Sequence, residues 1–258
     1  MKVIILAGGL GTRIAEETAN KPKPMVLIDG KPILWHLMNI FSQQGLNDFV
    51  LALGYRSDVI KRWVSELKES DEDITIGARN RSDSCHNRTG NTKWKVTALE
   101  TGLNTQTGGR IAKCMNLFPE DRVIATYGDG LANVSIKKLL SFHKSHGRLA
   151  TVTAVRPPAR FGYLDINDDK RVQHFGEKNQ SDAGWINGGF FVLEPEVVKY
   201  VFSDNEPFEL GALPRLVIEN NLMAYQHNDF WQPMDTLREK LELTKFARMT
   251  PPPWLKGL

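Results

Sequence analysis

Residues 1–25 read MKVIILAGGLGTRIAEETANKPKPM, and the fold is decided where Val3-Ile4-Ile5-Leu6-Ala7 meets Gly8-Gly9-Leu10-Gly11-Thr12-Arg13. A short apolar run without alternation predicts a strand buried on both faces, as in a parallel sheet, and it runs straight into a glycine-rich loop. Glycines there allow backbone N–H groups to approach phosphate oxygens with no Cβ in the way. Arg13 adds a planar fork of donors, and Lys23 in KPKPM adds a second charge. The plainer alternative is a tight strand-to-helix turn with a solvated arginine and lysine. Two phosphate motifs are excluded. A P-loop requires lysine directly after its last glycine, whereas Gly11 is followed by Thr12; a GxGxxG fingerprint begun at Gly9 fails at Ile14.

Working outward, KPILWHLMNIFSQQG (residues 31–45) sets Ile33, Leu34, Leu37, Ile40 and Phe41 at helical spacing and stops at Gly45, a fitting C-cap. DFVLALG (48–54) predicts a second buried strand. SDVIKRWVSELKES (57–70) predicts an amphipathic helix capped by Ser57 or Asp58. DITIG (73–77) and WKVTALETG (94–102) continue as strands, followed by a helix over about 109–118, the strand RVIATYGDG (122–130) and a helix near 135–146. Alternation of this kind implies an α/β fold, a doubly wound and mostly parallel sheet whose ligand site lies at the carboxyl ends of its strands. Residues 8–13 and 128–130 both sit at such ends.

From Ala150 the pieces become shorter and β-like: LATVTAV (149–155), FGYLDIN (161–167), VQHFGEK (172–178) and INGGFFVLE (186–194). They predict mixed-sheet insertions around a second half-site. The expectation is one domain over 1–258, with a soft boundary near Ala150 between the halves 1–149 and 150–258. The tail TPPPWLKGL (250–258) cannot be helical through its prolines and is expected to run over the surface.

Composition excludes several classes. The 258 residues are 41% hydrophobic and 24% charged, ordinary for a globular protein. The net charge of +3 arises from 33 basic and 30 acidic residues that are interspersed, so no basic tract invites nucleic acid or an anionic membrane. Cys85 and Cys114 are too few for a disulfide framework and fit a reducing, cytoplasmic setting. No apolar run approaches the ~20 residues of a membrane span. His143 and His146 are three apart on a helix, but no acidic third ligand accompanies them, and a helix-surface pair is the expectation. Trp35, Phe41 and Trp63 are assigned to the core.

The opening stretch together with ILWHLM, GYRSDVIKRW, TGGRI, TYGDGLANV, FHKSHG, ARFGYLDI, INGGFFVLEPEV and FWQPMDTLREKLEL resembles the sugar-1-phosphate nucleotidylyltransferases, chiefly their cytidylyl-transferring branch, over nearly the whole chain. The resemblance implies a Rossmann-like nucleotidyltransferase fold with a nucleotide-binding half at 1–149 and a sugar-phosphate-binding half with a C-terminal helix at 150–258, CTP and glucose 1-phosphate as substrates, Mg²⁺ as cofactor and a homo-oligomer. It makes Arg13 and Lys23 catalytic and lays the nucleotide along Leu6, Ala7, Gly8, Gly9, Gly11, Thr12, Arg13, Lys23, Thr107, Gly108, Gly109, Arg110 and Gly128. Asp129 and Asp235 hold the metal, with a turn residue and a helix N-cap as their respective plainer readings. Gly162, Tyr163, Glu177, Lys178, Asn187 and Gly188 hold the sugar phosphate. No general base is required, since the attacking phosphate is already ionised near neutral pH. For the base, Thr101, Gly102, Thr107, Gly108 and Gly109 are small, and a loop of such residues can bring main-chain groups to its edge; the plainer alternative is an ordinary polar loop, with Gly109 serving only the next helix.

Two departures stand out. The usual EKP is EKN here, with Asn179 third, and RNRSDSCHNRTGNTKW (79–94) departs most from the pattern and is expected to be an exposed or subunit-contacting loop. A uridylyl or thymidylyl enzyme and a non-catalytic homologue remain the alternatives.

Overall fold

The structure, a computed structural model, describes residues 1–69, 82–89, 92–157, 162–177 and 184–258. The expected strand at 73–77 lies outside these residues. In chain order the strands are β1 (Lys2–Leu6), β2 (Leu27–Ile28), β3 (Lys31–Pro32), β4 (Asp48–Leu53), β5 (Ser82–Thr89), β6 (Thr92–Glu100), β7 (Val123–Tyr127) and β8 (Gly130–Ala132). Then follow β9 (Ala150–Val155), β10 (Gly162–Ile166), β11 (Val172–Glu177), β12 (Ile186–Asn187), β13 (Phe191–Leu193), β14 (Leu222–His227) and β15 (Trp231–Pro233). The helices are α1 (Ala15–Thr18), α2 (Ile33–Ser42), α3 (Ser57–Glu69), α4 (Thr107–Met115), α5 (Ile136–His146), α6 (Ala212–Ile218) and α7 (Leu237–Ala247).

The apolar run at 3–7 becomes the centre of the molecule. β1 pairs in parallel with β4 on one side and β7 on the other, and β4 pairs in parallel with β6. Side chains alternate across this ribbon, so each strand feeds two cores. Val3 and Ile5 join Phe49, Leu51 and Leu53 under α2, α3, α5 and α7, while Ile4 joins Val50 and Ala52 under α4 and α6. Both faces are covered, as the unbroken hydrophobicity requires. Trp35, Phe41 and Trp63 all pack in the first core, as expected.

Beyond β7 the sheet turns mixed. β13 runs antiparallel between β7 and β9, and β14 pairs in parallel with the far side of β9. β12 lies on the same flank of β9 as β13, separated from it by Gly188, Gly189 and Phe190, so the two are one strand interrupted where it passes the end of β7. β10 and β11 form a separate antiparallel hairpin, and β8 pairs with β15.

Several expectations are corrected. The helix expected over 109–118 begins at Thr107, ahead of both glycines, and ends at Met115. α2 ends at Ser42; Gly45 still supplies the left-handed turn that closes it, with φ 80°. The segment at 79–94 carries a strand, β5, antiparallel to β6 through its described part, instead of an irregular loop. The tail does not merely cross the surface. Trp254, on a short turn at Pro253–Leu255, is fully buried against His36 and Phe230, because its large apolar ring outweighs the proline-rich polar backbone around it. His143 is buried rather than on the helix surface, with Nδ1 2.8 Å from Thr151 Oγ1 and Nε2 3.1 Å from Glu194 Oε1. No helix among the described residues is long and apolar enough to cross a membrane.

Candidate active site

The carboxyl ends of β1, β7 and β6 open into a cleft of about 970 Å³. Leu6, Ala7, Gly8, Gly9, Gly11, Thr12, Lys23, Thr107, Arg110, Gly128, Asp129, Asn187 and Asp235 border it, so the structure brings together most of the residues singled out above. Arg13 lies in the turn at Thr12–Ile14 on the same loop.

The loop glycines have different causes. A Cβ on Gly8 would stand 2.2 Å from Arg110 Nη1, so that glycine is required by protein packing. Gly11 has φ 65°, a left-handed conformation that disfavours a side chain. A Cβ on Gly9, in contrast, would meet nothing within 4 Å. The side of the loop at Gly9 is open, which suits a cradle for a group arriving from solution.

Lys23 is buried at the cleft floor, in the short turn Lys23–Met25 that follows Pro22. Its ammonium lies 2.6 Å from Asp129 Oδ2 and 2.6 Å from Asp235 Oδ1. One ladder and a single hydrogen bond beyond it bring those carboxylates side by side. β8 pairs with β15 immediately after Asp129 and before Asp235, and the Met234 N–H donates to the Asp129 carbonyl at 2.8 Å. Asp235 is not a helix cap. Thr236 caps α7, its hydroxyl accepting from the Glu239 N–H while Glu239 Oε2 accepts from the backbone N–H groups of Asp235 and Thr236 at 2.7 and 2.9 Å. The cap function falls one residue later, and the Asp235 carboxylate turns to Lys23.

Asp129 and Asp235 also suit a divalent cation. They supply hard oxygen donors from two chain segments, the usual protein contribution when phosphate oxygens and waters complete the shell. Among the described residues no cluster of three or more His, Cys, Asp or Glu side chains is arranged to cage a metal.

Arg110 borders the cleft but its donors point into the protein. Nη1 reaches the Leu53 carbonyl at 2.8 Å and Thr101 Oγ1 at 2.5 Å; Nη2 reaches the carbonyls of Gly8 at 3.0 Å and Leu103 at 3.3 Å. It ties together the loops after β1, β4 and β6. Burial holds this guanidinium below its ordinary pKa, with the charge of nearby Glu100 opposing the shift in part.

Gly108 and Gly109 face away from the cleft, because a Cβ on either would come within 2.6 Å of the backbone of Glu206 or Asp204. Their absence of side chains lets residues 204–208 cross the first turn of α4. The residues bordering the cleft beside them are Leu103, Asn104, Thr105, Gln106 and Thr107. The hairpin register places Gly162 across from Glu177 and Tyr163 across from Gly176. Lys178 lies outside the described residues. Gly188 admits Val155, whose Cγ1 would be 2.5 Å from a Cβ there, and its carbonyl accepts from Trp231 Nε1 at 3.0 Å.

Sequence reasoning missed Tyr127, Glu209 and Trp231, which all border the cleft. Tyr127 was visible as the last residue before Gly128 on a strand entering the site. Glu209 carried no signal, since EPFELG reads as an ordinary surface turn.

A parallel-strand edge bearing an open glycine loop, a buried lysine and paired carboxylates defines an α/β site for phosphorylated ligands. Residues 2–246 match the family model described as Nucleotidyl transferase, and the chain belongs to that family. It is 45% identical over 256 residues to the glucose-1-phosphate cytidylyltransferase of Salmonella typhimurium, covering 98% of each chain. It is 40% identical over 246 residues, 95% of each chain, to the probable glucose-1-phosphate cytidylyltransferase of Bacillus subtilis. Among solved structures, HddC from Yersinia pseudotuberculosis complexed with GMP-PN aligns with a TM-score of 0.70 at 26% identity, over 96% of this chain and 99% of that one.

Proposed function

We propose that this chain transfers the cytidylyl group of CTP to α-D-glucose 1-phosphate, giving CDP-glucose and pyrophosphate. The observation that carries the choice of substrates is the 45% identity, over 98% of both chains, to the Salmonella typhimurium enzyme of that name; the geometry of the cleft supports the reaction type. A sugar-phosphate oxygen forms a bond to the α-phosphorus as the bond from that phosphorus to the β-phosphate bridging oxygen breaks. The nucleophile needs no base, having a second pKa of about 6. Catalysis therefore reduces to placing two polyanions in line and neutralising them.

The residues divide that work. Gly8, Gly9, Gly11 and Thr12 offer backbone to the triphosphate, with Arg13 and Lys23 supplying positive charge. Glu177, Lys178 and Asn187 hold the sugar phosphate, with the backbone at Gly162, Tyr163 and Gly188 around the hexose. A divalent cation, magnesium in this reading, bound by Asp129 and Asp235 would screen the charge of the phosphates. The polar segment 103–107 takes the base, where cytosine presents an amino donor and uracil an acceptor. An unmatched polar contact costs about 1 kcal/mol or more.

A pyrophosphate-release assay crossing CTP, UTP, dTTP, GTP and ATP with several sugar 1-phosphates tests the reading. The expected kcat/KM for CTP exceeds that for UTP by roughly tenfold or more, with purine nucleotides poorer still. Equal or better values with UTP or dTTP reject the cytidylyl choice, and no release with any pair rejects the transfer itself.

A further inference from the structure

One chain of hydrogen bonds crosses the cleft from the nucleotide side to the sugar side, and its two middle members, Glu209 and Tyr127, have no role in the proposed reaction. It starts at the Phe208 N–H, which donates to Thr107 Oγ1 at 2.8 Å. Thr107 Oγ1 donates to Glu209 Oε2 at 2.7 Å, and the Tyr127 hydroxyl donates to Glu209 Oε1 at 2.5 Å. Asn187 Nδ2 donates to the Tyr127 oxygen at 2.8 Å, and Asn187 Oδ1 accepts from the Gly189 N–H at 2.9 Å.

Donor and acceptor rules leave this chain a single direction. Both ends are backbone N–H groups, which only donate. The Phe208 N–H occupies the threonine oxygen as acceptor, so the threonine hydrogen goes to Glu209. The Gly189 N–H fixes Oδ1 of Asn187 as the acceptor, so Nδ2 faces Tyr127, and the phenol hydrogen has only Glu209 to meet. The carboxylate, an acceptor on both oxygens, receives from both sides. One N–H and one carbonyl lone pair of Asn187 remain without a protein partner among the described residues, in a side chain that borders the cleft.

The architecture around the chain accounts for otherwise unexplained glycines. Gly108 and Gly109 let residues 204–208 cross α4 in backbone contact, which brings Glu209 to Thr107. Gly189, at φ 77°, lies close enough to Tyr127 that a Cβ would be 3.1 Å from Cδ2.

We propose that Glu209 and Tyr127 are positioning residues that fix the rotamer and amide orientation of Asn187, so that it meets hydroxyls of the sugar phosphate with a preset donor and acceptor. This rests on the functional reading above. The relay couples the segment that holds the base to the wall that holds the sugar, and its effect belongs to the second substrate alone.

The test is a double-mutant cycle on Tyr127→Phe and Asn187→Ala, with steady-state constants measured separately for CTP and glucose 1-phosphate. Tyr127→Phe removes one oxygen and keeps the ring against Phe191. It is expected to raise KM for glucose 1-phosphate roughly five- to tenfold, with KM for CTP within about twofold and little change in Tm. The double variant is expected to be no worse than Asn187→Ala, and Glu209→Gln, which keeps one acceptor oxygen, to retain more sugar affinity than Glu209→Ala. Equal rises in both KM values for Tyr127→Phe, or additive effects in the cycle, overturn the relay. A wild-type protein that releases no pyrophosphate with any sugar 1-phosphate overturns the functional reading first, and the relay with it.

Discussion

Lys23 shows how far single residues can be read. Its charge was legible beside the glycine loop, but its partners were not, because Asp129 and Asp235 lie 106 and 212 positions away in the chain. The family resemblance marked both aspartates as a pair; only the fold shows that they converge on one ammonium. The converse holds for Arg110, legible as a cation near the site, yet bonded to carbonyls that no local pattern exposes. Because the two aspartates share Lys23 and, in the proposed reaction, one cation, their contributions are not independent. Asp129→Asn and Asp235→Asn should each lower kcat/KM by about tenfold or more, and the double variant should lose much less than the product of the two. Assays of all three variants check this, and full wild-type activity in EDTA would exclude the metal from the scheme.

At the scale of elements, periodicity located α2 to α5 and bounded α3 and α5 to within a residue, but it misplaced the ends of α4. The expected start at about Gly109 falls two residues late, because the two glycines are inside the helix for the sake of the chain that crosses it. The Thr-x-x-Glu pattern at Thr236 and Glu239 was a legible capping box, and reading it would have released Asp235 from the cap one step earlier. α4 also carries a thiol with a measurable consequence. Cys114 is fully buried among the apolar residues between α4 and the sheet, and burial raises its pKa from 9.0 to about 12. The unfolded chain therefore releases this proton at a lower pH than the native protein does. Stability should fall as pH rises from about 9 towards 12, and Cys114→Ala should flatten that slope in urea midpoints measured across the window.

The whole molecule adds the opposite slope on the acid side. His36, His143 and His227 are all buried and held below their ordinary pKa of 6.5, chiefly by loss of solvent. Each is neutral in the native state and binds a proton more readily once unfolded. Their contribution is present above pH 6.5 and is lost as pH falls below it. Denaturation midpoints should decline between about pH 6.5 and 5, and His36→Gln should remove part of the decline. The doubly wound class was legible because unbroken apolar strands can be buried only between two helical layers. The burial of Trp254 was not, since proline-rich composition describes the backbone of a tail and says nothing of where one large ring finds a hole.

The position of β1 also bears on how the protein is made. It is synthesised before both of the strands that flank it, β4 and β7, and ends at the middle of the sheet. At ~5–20 residues per second, the interval between completing β1 and synthesising β7 is on the order of ten seconds. Throughout that time one edge of a strand apolar from Val3 to Leu6 has no neighbour, and the Leu6 carbonyl at its end lacks the Gly128 N–H that it accepts from in the folded protein. The nascent chain thus offers an open sheet edge, the feature most apt to recruit another copy or a chaperone, until β7 has been translated.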